Sequence, residues 1–184
     1  MKKVTLFLLG FAAVAFMVSS CGGTQSATQG RKQIIIPCDD KAKSDATYFR
    51  ASGQAKSPNQ ANAKDKALLN AKARLASSIN TKIKSVTESY TNEMDAGGAQ
   101  EFNQTFENMT RAVVSQTLVE VDEICSELYP AEGGGFDSYV ALQVAKDAIY
   151  NGIDKGISKD KKLEVMYDRQ KFKEKFDEEM SKME

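Results

Sequence analysis

Apolar and polar positions change their period along the chain, and each change predicts a different element. Residues 47–53 read Thr-Tyr-Phe-Arg-Ala-Ser-Gly, an aromatic run that stops at glycine, which predicts a strand. Two more strands are expected at 118–129 and 136–144, and apolar side chains recur at every second position in most of the latter. Ile34-Ile35-Ile36 ahead of Pro37 is a short apolar run that suits an edge strand.

Between these strands the apolar positions recur at steps of three and four, which predicts helices. Ser57-Pro58-Asn59-Gln60 has a serine N-cap, a proline at the first helical position and a glutamine three residues after the cap. A long alanine-rich helix is expected to follow and to reach about Val86. Gly97-Gly98 interrupts the pattern, and a second helix is expected over about 99–114.

The C-terminal part is predicted to be helical and highly charged. Isoleucines fall four apart from Ile149 to Ile157, and a final charged helix is expected over about 160–182. Its apolar positions are of the kind that anchor a helix in a partner's groove, but the same spacing suits packing onto its own domain. Both interpretations stay open. The candidate interface residues are Val165, Phe172, Phe176 and Met180.

These elements together predict an α+β fold. We expect a small antiparallel sheet of about three strands, packed against a long alanine-rich helix and a second helix, with a charged C-terminal helix. The glycine-rich run 130–135 opens into a strand. Because a phosphate-binding loop opens into a helix N-terminus, this run is predicted to be a hairpin turn.

The first residues have the layout of an export signal. Lys2 and Lys3 precede an apolar run over 4–18, and two serines lead to Cys21. The sequence Val18-Ser19-Ser20-Cys21 resembles the lipobox of bacterial lipoproteins. This resemblance implies cleavage before Cys21 and attachment of lipid to its sulfur, usually with acylation of its new amine. A membrane-spanning anchor, which needs ~20 apolar residues, and an ordinary secretory signal are the alternatives.

Four segments follow from this layout. Residues 1–20 form the signal peptide, and residues 21–43 form the lipidated cysteine with a flexible polar tether. Residues 44–158 form the α+β domain, and residues 159–184 the C-terminal amphipathic helix. By the sorting patterns of lipoproteins, the absence of an acidic residue or cluster after Cys21 favours the periplasmic face of the outer membrane. The cell surface is the alternative location.

Composition narrows the possible functions. The chain has 25 basic and 25 acidic residues, and loss of residues 1–20 leaves 23 bases, 25 acids and a net charge of −2. Nucleic-acid binding is not expected, because it usually requires clustered positive charge. The chain has no histidine, so Ser-His-Asp and Cys-His chemistry within one chain is excluded. No metal site and no cofactor are expected, since three cysteines cannot form the common structural zinc sites.

Two cysteines remain once Cys21 carries lipid. A disulfide between Cys38 and Cys125 is expected if the protein is exported, because exported proteins meet an oxidising compartment. The alternative is a free thiol at Cys38 and a buried, unpaired cysteine at Cys125.

Residues 49–83 resemble the Lpp-twenty-type family of small bacterial outer-membrane-associated lipoproteins. The resemblance consists of a strand that ends at Gly53, a capped alanine-rich helix that contains Ala73-Arg74-Leu75-Ala76, and a late strand that contains Tyr139-Val140-Ala141-Leu142. It implies a compact α+β domain, association with the outer membrane and no catalytic residues. The Ile34–Cys38 extension and the charged C-terminal helix depart from the family pattern.

The sequence therefore predicts a membrane-tethered, non-enzymatic interaction or structural module of the cell envelope. It would bind a periplasmic protein partner or associate with itself. The alternative is a small-molecule or glycan binding module, in which Tyr48, Tyr129 and Tyr139 would line a pocket. An enzyme that uses a carboxylate pair is a third hypothesis, with acids adjacent in sequence as its candidates. These are Asp39-Asp40, Asp122-Glu123 and Asp177-Glu178-Glu179.

Overall fold

In the described part of the chain, three strands form one antiparallel sheet, and five α-helices pack with it. The computed structural model describes residues 34–92, 94 and 96–182. The strand order is β1-β3-β2, so the last strand lies between the other two. The predicted α+β fold with a three-stranded sheet is confirmed. The strands are β1 (Tyr48–Ser57), β2 (Asp122–Pro130) and β3 (Phe136–Ala145), and the helices are α1 (Gln60–Thr91), α2 (Ala96–Thr117), α3 (Lys146–Ile157), α4 (Lys161–Met166) and α5 (Arg169–Ser181).

The glycine-rich run joins β2 to β3 as a hairpin, as predicted. The Ala131 amide donates a hydrogen bond to the carbonyl of Gly135 at 3.0 Å, which closes the turn. Gly133, Gly134 and Gly135 have φ angles of 78°, 96° and 88°, in the left-handed region that glycine adopts without strain. The turn therefore needs its glycines for the shape of its backbone.

The alanines of α1 allow it to lie very close to the sheet. A Cβ atom added to Gly53 would lie 2.3 Å from both the Ala67 carbonyl oxygen and the Ala71 amide nitrogen. Ala63, Ala67 and Ala71 are fully buried at this contact. Further along α1 the buried side chains become larger, beginning with Leu75, and the core widens to admit the other helices.

Two helix starts differ from the sequence-based prediction. The first helix is capped by Asn59, whose side chain accepts a hydrogen bond from the Asn62 amide at 3.1 Å, and not by Ser57. Ser57 is instead the buried last residue of β1, because its pairing with Phe136 extends the strand. The second helix begins before Gly97-Gly98, so these glycines lie inside α2.

The predicted C-terminal helix is two helices. The first, α4, ends at Met166, and Asp168 caps the second, α5, since its side chain accepts a hydrogen bond from the Lys171 amide at 3.0 Å. Asp160 caps α4 in the same way. The predicted edge strand at Ile34–Ile36 is wrong, because these residues are not strand and a turn follows at Pro37.

The predicted signal peptide, the predicted lipid site at Cys21 and the predicted tether as far as residue 33 lie outside the described residues. From Ile35 onward the described chain forms one compact unit. No helix in these described ranges is long and apolar enough to span a membrane.

Candidate functional site

A disulfide joins Cys38 to Cys125 on the outer face of the sheet, which is the face turned away from α1. The two sulfurs are 2.10 Å apart and the Cα atoms 5.6 Å apart, across 87 positions of sequence. Both cysteines are buried, and they pack against Ala141 of β3. Ser52 adds a hydrogen bond from its hydroxyl to a carboxylate oxygen of Asp39 at 2.8 Å. The segment that precedes β1 is therefore clamped onto the sheet. The two cysteines that form the bond are the pair expected from the sequence.

A carboxylate lies next to this disulfide. Ligand atoms of Cys38, Cys125 and Glu127 lie within 4.8 Å of one another, which is close enough to surround an ion. A cysteine binds metal as a thiolate, however, and neither sulfur is a thiolate while the two are bonded. The oxidised protein therefore offers only Glu127 here, which does not fit a metal site.

Asp45 has the most strongly perturbed carboxyl group near the clamp, and its contacts are structural. Its carboxylate accepts hydrogen bonds from the Tyr48 amide at 2.8 Å, from Arg50 at 2.5 Å and from the Thr47 amide at 2.9 Å. These donors favour the charged form and lower the pKa of Asp45 to about 2. The carboxylate thus holds the loop against the start of β1, which is a structural role.

The acids that are adjacent in sequence do not form converging pairs in a cleft. Asp39 and Asp40 are exposed, and Glu123 forms an ion pair with Lys64 at 3.3 Å. Lys182 pairs with Glu178 at 3.2 Å and with Glu179 at 2.5 Å on one side of α5. These contacts are typical of solvated charges on a surface.

The three tyrosines do not line a common pocket. Tyr129 and Tyr139 pack edge to face, with ring centroids 6.0 Å apart. Tyr129 also donates a hydrogen bond to Glu127, and this bond raises the pKa of the Tyr129 hydroxyl. Tyr48 lies at the other end of the same face, because it pairs with Ala145 while Tyr139 pairs with Gln54. Six residues of strand correspond to roughly 20 Å.

The predicted interface on the C-terminal helix is wrong for three of its four residues. Phe172, Phe176 and Met180 are buried in the domain's own core, with exposed fractions of 0%, 2% and 4%. They pack there because the break at Asp168 turns α5 back onto α1, where aromatic rings already cluster. Val165 lies on α4 and is 87% exposed, apart from the other three.

An open groove between α1 and α2, which we call the helix groove, was not predicted from the sequence. Its volume is about 490 Å³, and its base is formed by small and apolar side chains such as Ala76 and Val114. Leu69 and Val119 flank it and are 66% and 71% exposed. Leu69 falls outside the buried stripe of α1. An apolar residue at that position is the sequence feature that could have indicated the groove. The lining residues are Leu69, Lys72, Ala73, Ala76, Asn80, Arg111, Val114, Ser115, Leu118 and Val119.

The charged side chains of the helix groove are both positive. Lys72 comes from α1, and Arg111 comes from α2, where it also pairs with Glu107 at 2.5 Å. The helix α1 as a whole carries six bases and two acids, so its net charge is positive, and Lys72 is the base that it contributes to the groove. An anionic group would therefore be attracted to the rim, and an apolar one to the base.

No protein-family model, no curated protein and no solved structure matches this chain significantly. The fold and the surface define a disulfide-clamped α+β module with an open, basic-rimmed helix groove. The likeness to the Lpp-twenty-type lipoproteins rests on the sequence motifs alone and stays a prediction.

Proposed function

We propose that the protein is a membrane-tethered bacterial lipoprotein whose domain is a non-enzymatic interaction module of the cell envelope. The observation that carries the proposal is the helix groove, which is open, apolar at its base and positively charged at its rim. An open groove between two helices, with exposed apolar side chains at its edge, is a surface into which a partner helix can dock. In the proposal, the groove binds a protein partner and the lipid on Cys21 keeps the domain at the membrane.

The disulfide supports the proposed export from the cytoplasm. Disulfides persist in the periplasm and outside the cell but are rare in reducing compartments. The bond between Cys38 and Cys125 therefore agrees with a signal peptide that ends before Cys21. The proposed location is the periplasmic face of the outer membrane.

The groove chemistry suggests an amphipathic helix with acidic residues as the bound element. A helix laid between two helices buries its apolar face against exposed groove residues such as Leu69 and Val119. Acidic side chains at its edge would meet Lys72 and Arg111, which raises the association rate and selects the orientation. A second copy of the chain is the other partner considered, and it would bind through the same groove.

Photo-crosslinking in intact cells tests the groove. A photoreactive residue at Leu69 or at Val119 is expected to yield one crosslinked product of defined mass. The same residue at Val165, which is more exposed but lies outside the groove, is expected to yield none. Lys72→Glu combined with Arg111→Glu should remove the product, because it reverses both rim charges. A product twice the mass of the chain would identify a homo-oligomer, and equal labelling from Val165 would refute the groove as the site.

Mass spectrometry of the membrane-extracted protein tests the tether. It should show a chain that begins at Cys21 with acyl chains attached. Cys21→Ser should release the protein from the membrane or leave it unprocessed. An unmodified mature N-terminus at another residue would rule out lipidation while leaving the crosslinking result informative.

A further inference from the structure

An exposed apolar segment lies between the tether and the disulfide. Ile35 is 89% exposed and Ile36 is 40% exposed, and Ile34 before them is 83% exposed. Consecutive large apolar side chains in water are unusual on the surface of a folded domain. The described residues leave Ile34 and Ile35 almost uncovered, whereas more than half of Ile36 is covered.

The disulfide places this segment at a defined point on the domain. Cys38 follows Ile36 by two residues and is only 2% exposed. The Asp39 amide donates a hydrogen bond to the Ile36 carbonyl at 3.2 Å, which holds the turn closed. Ile36 is therefore tied to the outer face of the sheet, and any surface that it contacts takes a defined position relative to that face.

We propose that Ile35 and Ile36 insert into the lipid surface that carries the anchor and so orient the domain on the membrane. The inference rests on the proposed function only in that a tether holds the chain near a bilayer. Fourteen positions separate Cys21 from Ile35. At 5–6 Å × √n they span roughly 20 Å, so the segment always lies within reach of the bilayer.

Charge around the segment favours an anionic lipid surface. Residues 31–43 contain four bases and two acids, a net charge of +2. Each Lys or Arg near such a surface contributes about 1 kcal/mol of attraction. One of the two acids, Asp39, is occupied by its hydrogen bond from Ser52.

A lipid surface suits this segment better than a protein partner. A standard protein interface buries about 800 Å² on each partner, far more than two isoleucines provide. A weak contact is sufficient next to a tether, because the tether makes the contact intramolecular and raises the effective concentration to the millimolar range.

The composition of the chain permits a direct test. The chain contains no tryptophan, so Ile35→Trp introduces a single indole. It also contains no histidine, so a hexahistidine tag provides a single point of attachment to a nickel-chelating lipid. The mature chain, with the tag in place of Cys21, is bound to vesicles of phosphatidylethanolamine, phosphatidylglycerol and a nickel-chelating lipid. We expect the Ile35→Trp emission to shift to shorter wavelength on the vesicles and to be quenched when the lipids are brominated.

Matched variants show whether the shift and the quenching are specific to the segment at Ile35 and Ile36. Leu69→Trp and Val165→Trp place the indole at other exposed positions and should show neither the shift nor the quenching. Ile36→Asp in the Ile35→Trp protein should abolish both. Emission that stays unchanged at position 35, or quenching that is equal at all three positions, would overturn the proposal. So would a shift that appears without vesicles and grows with protein concentration, since that outcome means self-association. Because the tag replaces the lipid, failure of Cys21 acylation does not affect this result.

Discussion

A single hydroxyl group links the end of α1 to the junction of α4 and α5. Tyr90 donates a hydrogen bond to the Met166 carbonyl at 3.1 Å and accepts one from the Asp168 amide at 2.8 Å. Its ring packs against Phe102 and Phe172, with centroid distances of 5.2 and 5.4 Å. Tyr90 thus satisfies two backbone groups where one helix ends and the next begins, and burial raises the pKa of its hydroxyl.

Tyr90→Phe is expected to lower the free energy of unfolding by about 1–2 kcal/mol at pH 7, because it removes two hydrogen bonds to partly buried backbone groups. The contribution of a tyrosine with a raised pKa is complete below its unfolded value of about 10 and is lost as the pH rises through the folded value. The difference between wild type and Tyr90→Phe should therefore stay constant below pH 10 and shrink above it.

Urea unfolding across this pH range measures the effect. Tyr129→Phe is the matched control, because that hydroxyl lies on the surface and bonds only to an exposed neighbouring side chain. A Tyr90→Phe protein as stable as Tyr129→Phe at pH 7 would mean that the two backbone groups find other partners.

At the scale of the elements, α5 shows that an apolar stripe does not reveal which surface will cover it. The spacing of Phe172 and Phe176 predicts that one face of the C-terminal helix is buried, and both side chains are buried in the structure. The same spacing is equally compatible with a second protein, because periodicity describes one surface and not the surface that covers it. The break at Asp168 decides the matter, since it lets α5 fold back onto α1.

Phe172→Ala is expected to lower the free energy of unfolding by about 3–5 kcal/mol, the usual cost of removing a buried phenylalanine. Val165→Ala, on the neighbouring helix, should change it by no more than about 0.5 kcal/mol, since that side chain is 87% exposed. Chemical denaturation of both variants tests the assignment. A Phe172→Ala chain that keeps its stability but loses self-association would restore the interface hypothesis.

At the scale of the whole molecule, the disulfide joins the N-terminal extension to a strand 87 positions away. In the chain-entropy view, closing such a loop stabilises the folded state by about 4 kcal/mol, because it restricts the unfolded chain. Cys38 and Cys125 are also buried, so the bond contributes a small apolar cluster on the outer face of the sheet.

Reduction of the disulfide is expected to lower the free energy of unfolding by about 2–5 kcal/mol. Urea unfolding with and without dithiothreitol measures this loss. A variant with both Cys38→Ala and Cys125→Ala should match the reduced protein and show no response to dithiothreitol. Equal stability of the oxidised and reduced wild type would contradict this prediction, because a native-state cost of the bond would then cancel its restriction of the unfolded chain.

The sequence by itself indicated the order of the main helices and strands, the hairpin at 130–135 and Cys38 and Cys125 as the candidate disulfide pair, but not the break at Asp168 or the absence of a strand at Ile34–Ile36. The features that it indicated depend on local period, on backbone freedom at glycine and on the number of cysteines available, all of which are readable along one chain. Only the tertiary structure decided that Phe172, Phe176 and Met180 are core, that Leu69 and Val119 flank a groove, and that Ile35 is uncovered. The physical reason is that burial is a property of two surfaces in contact, and one sequence pattern describes only one of them.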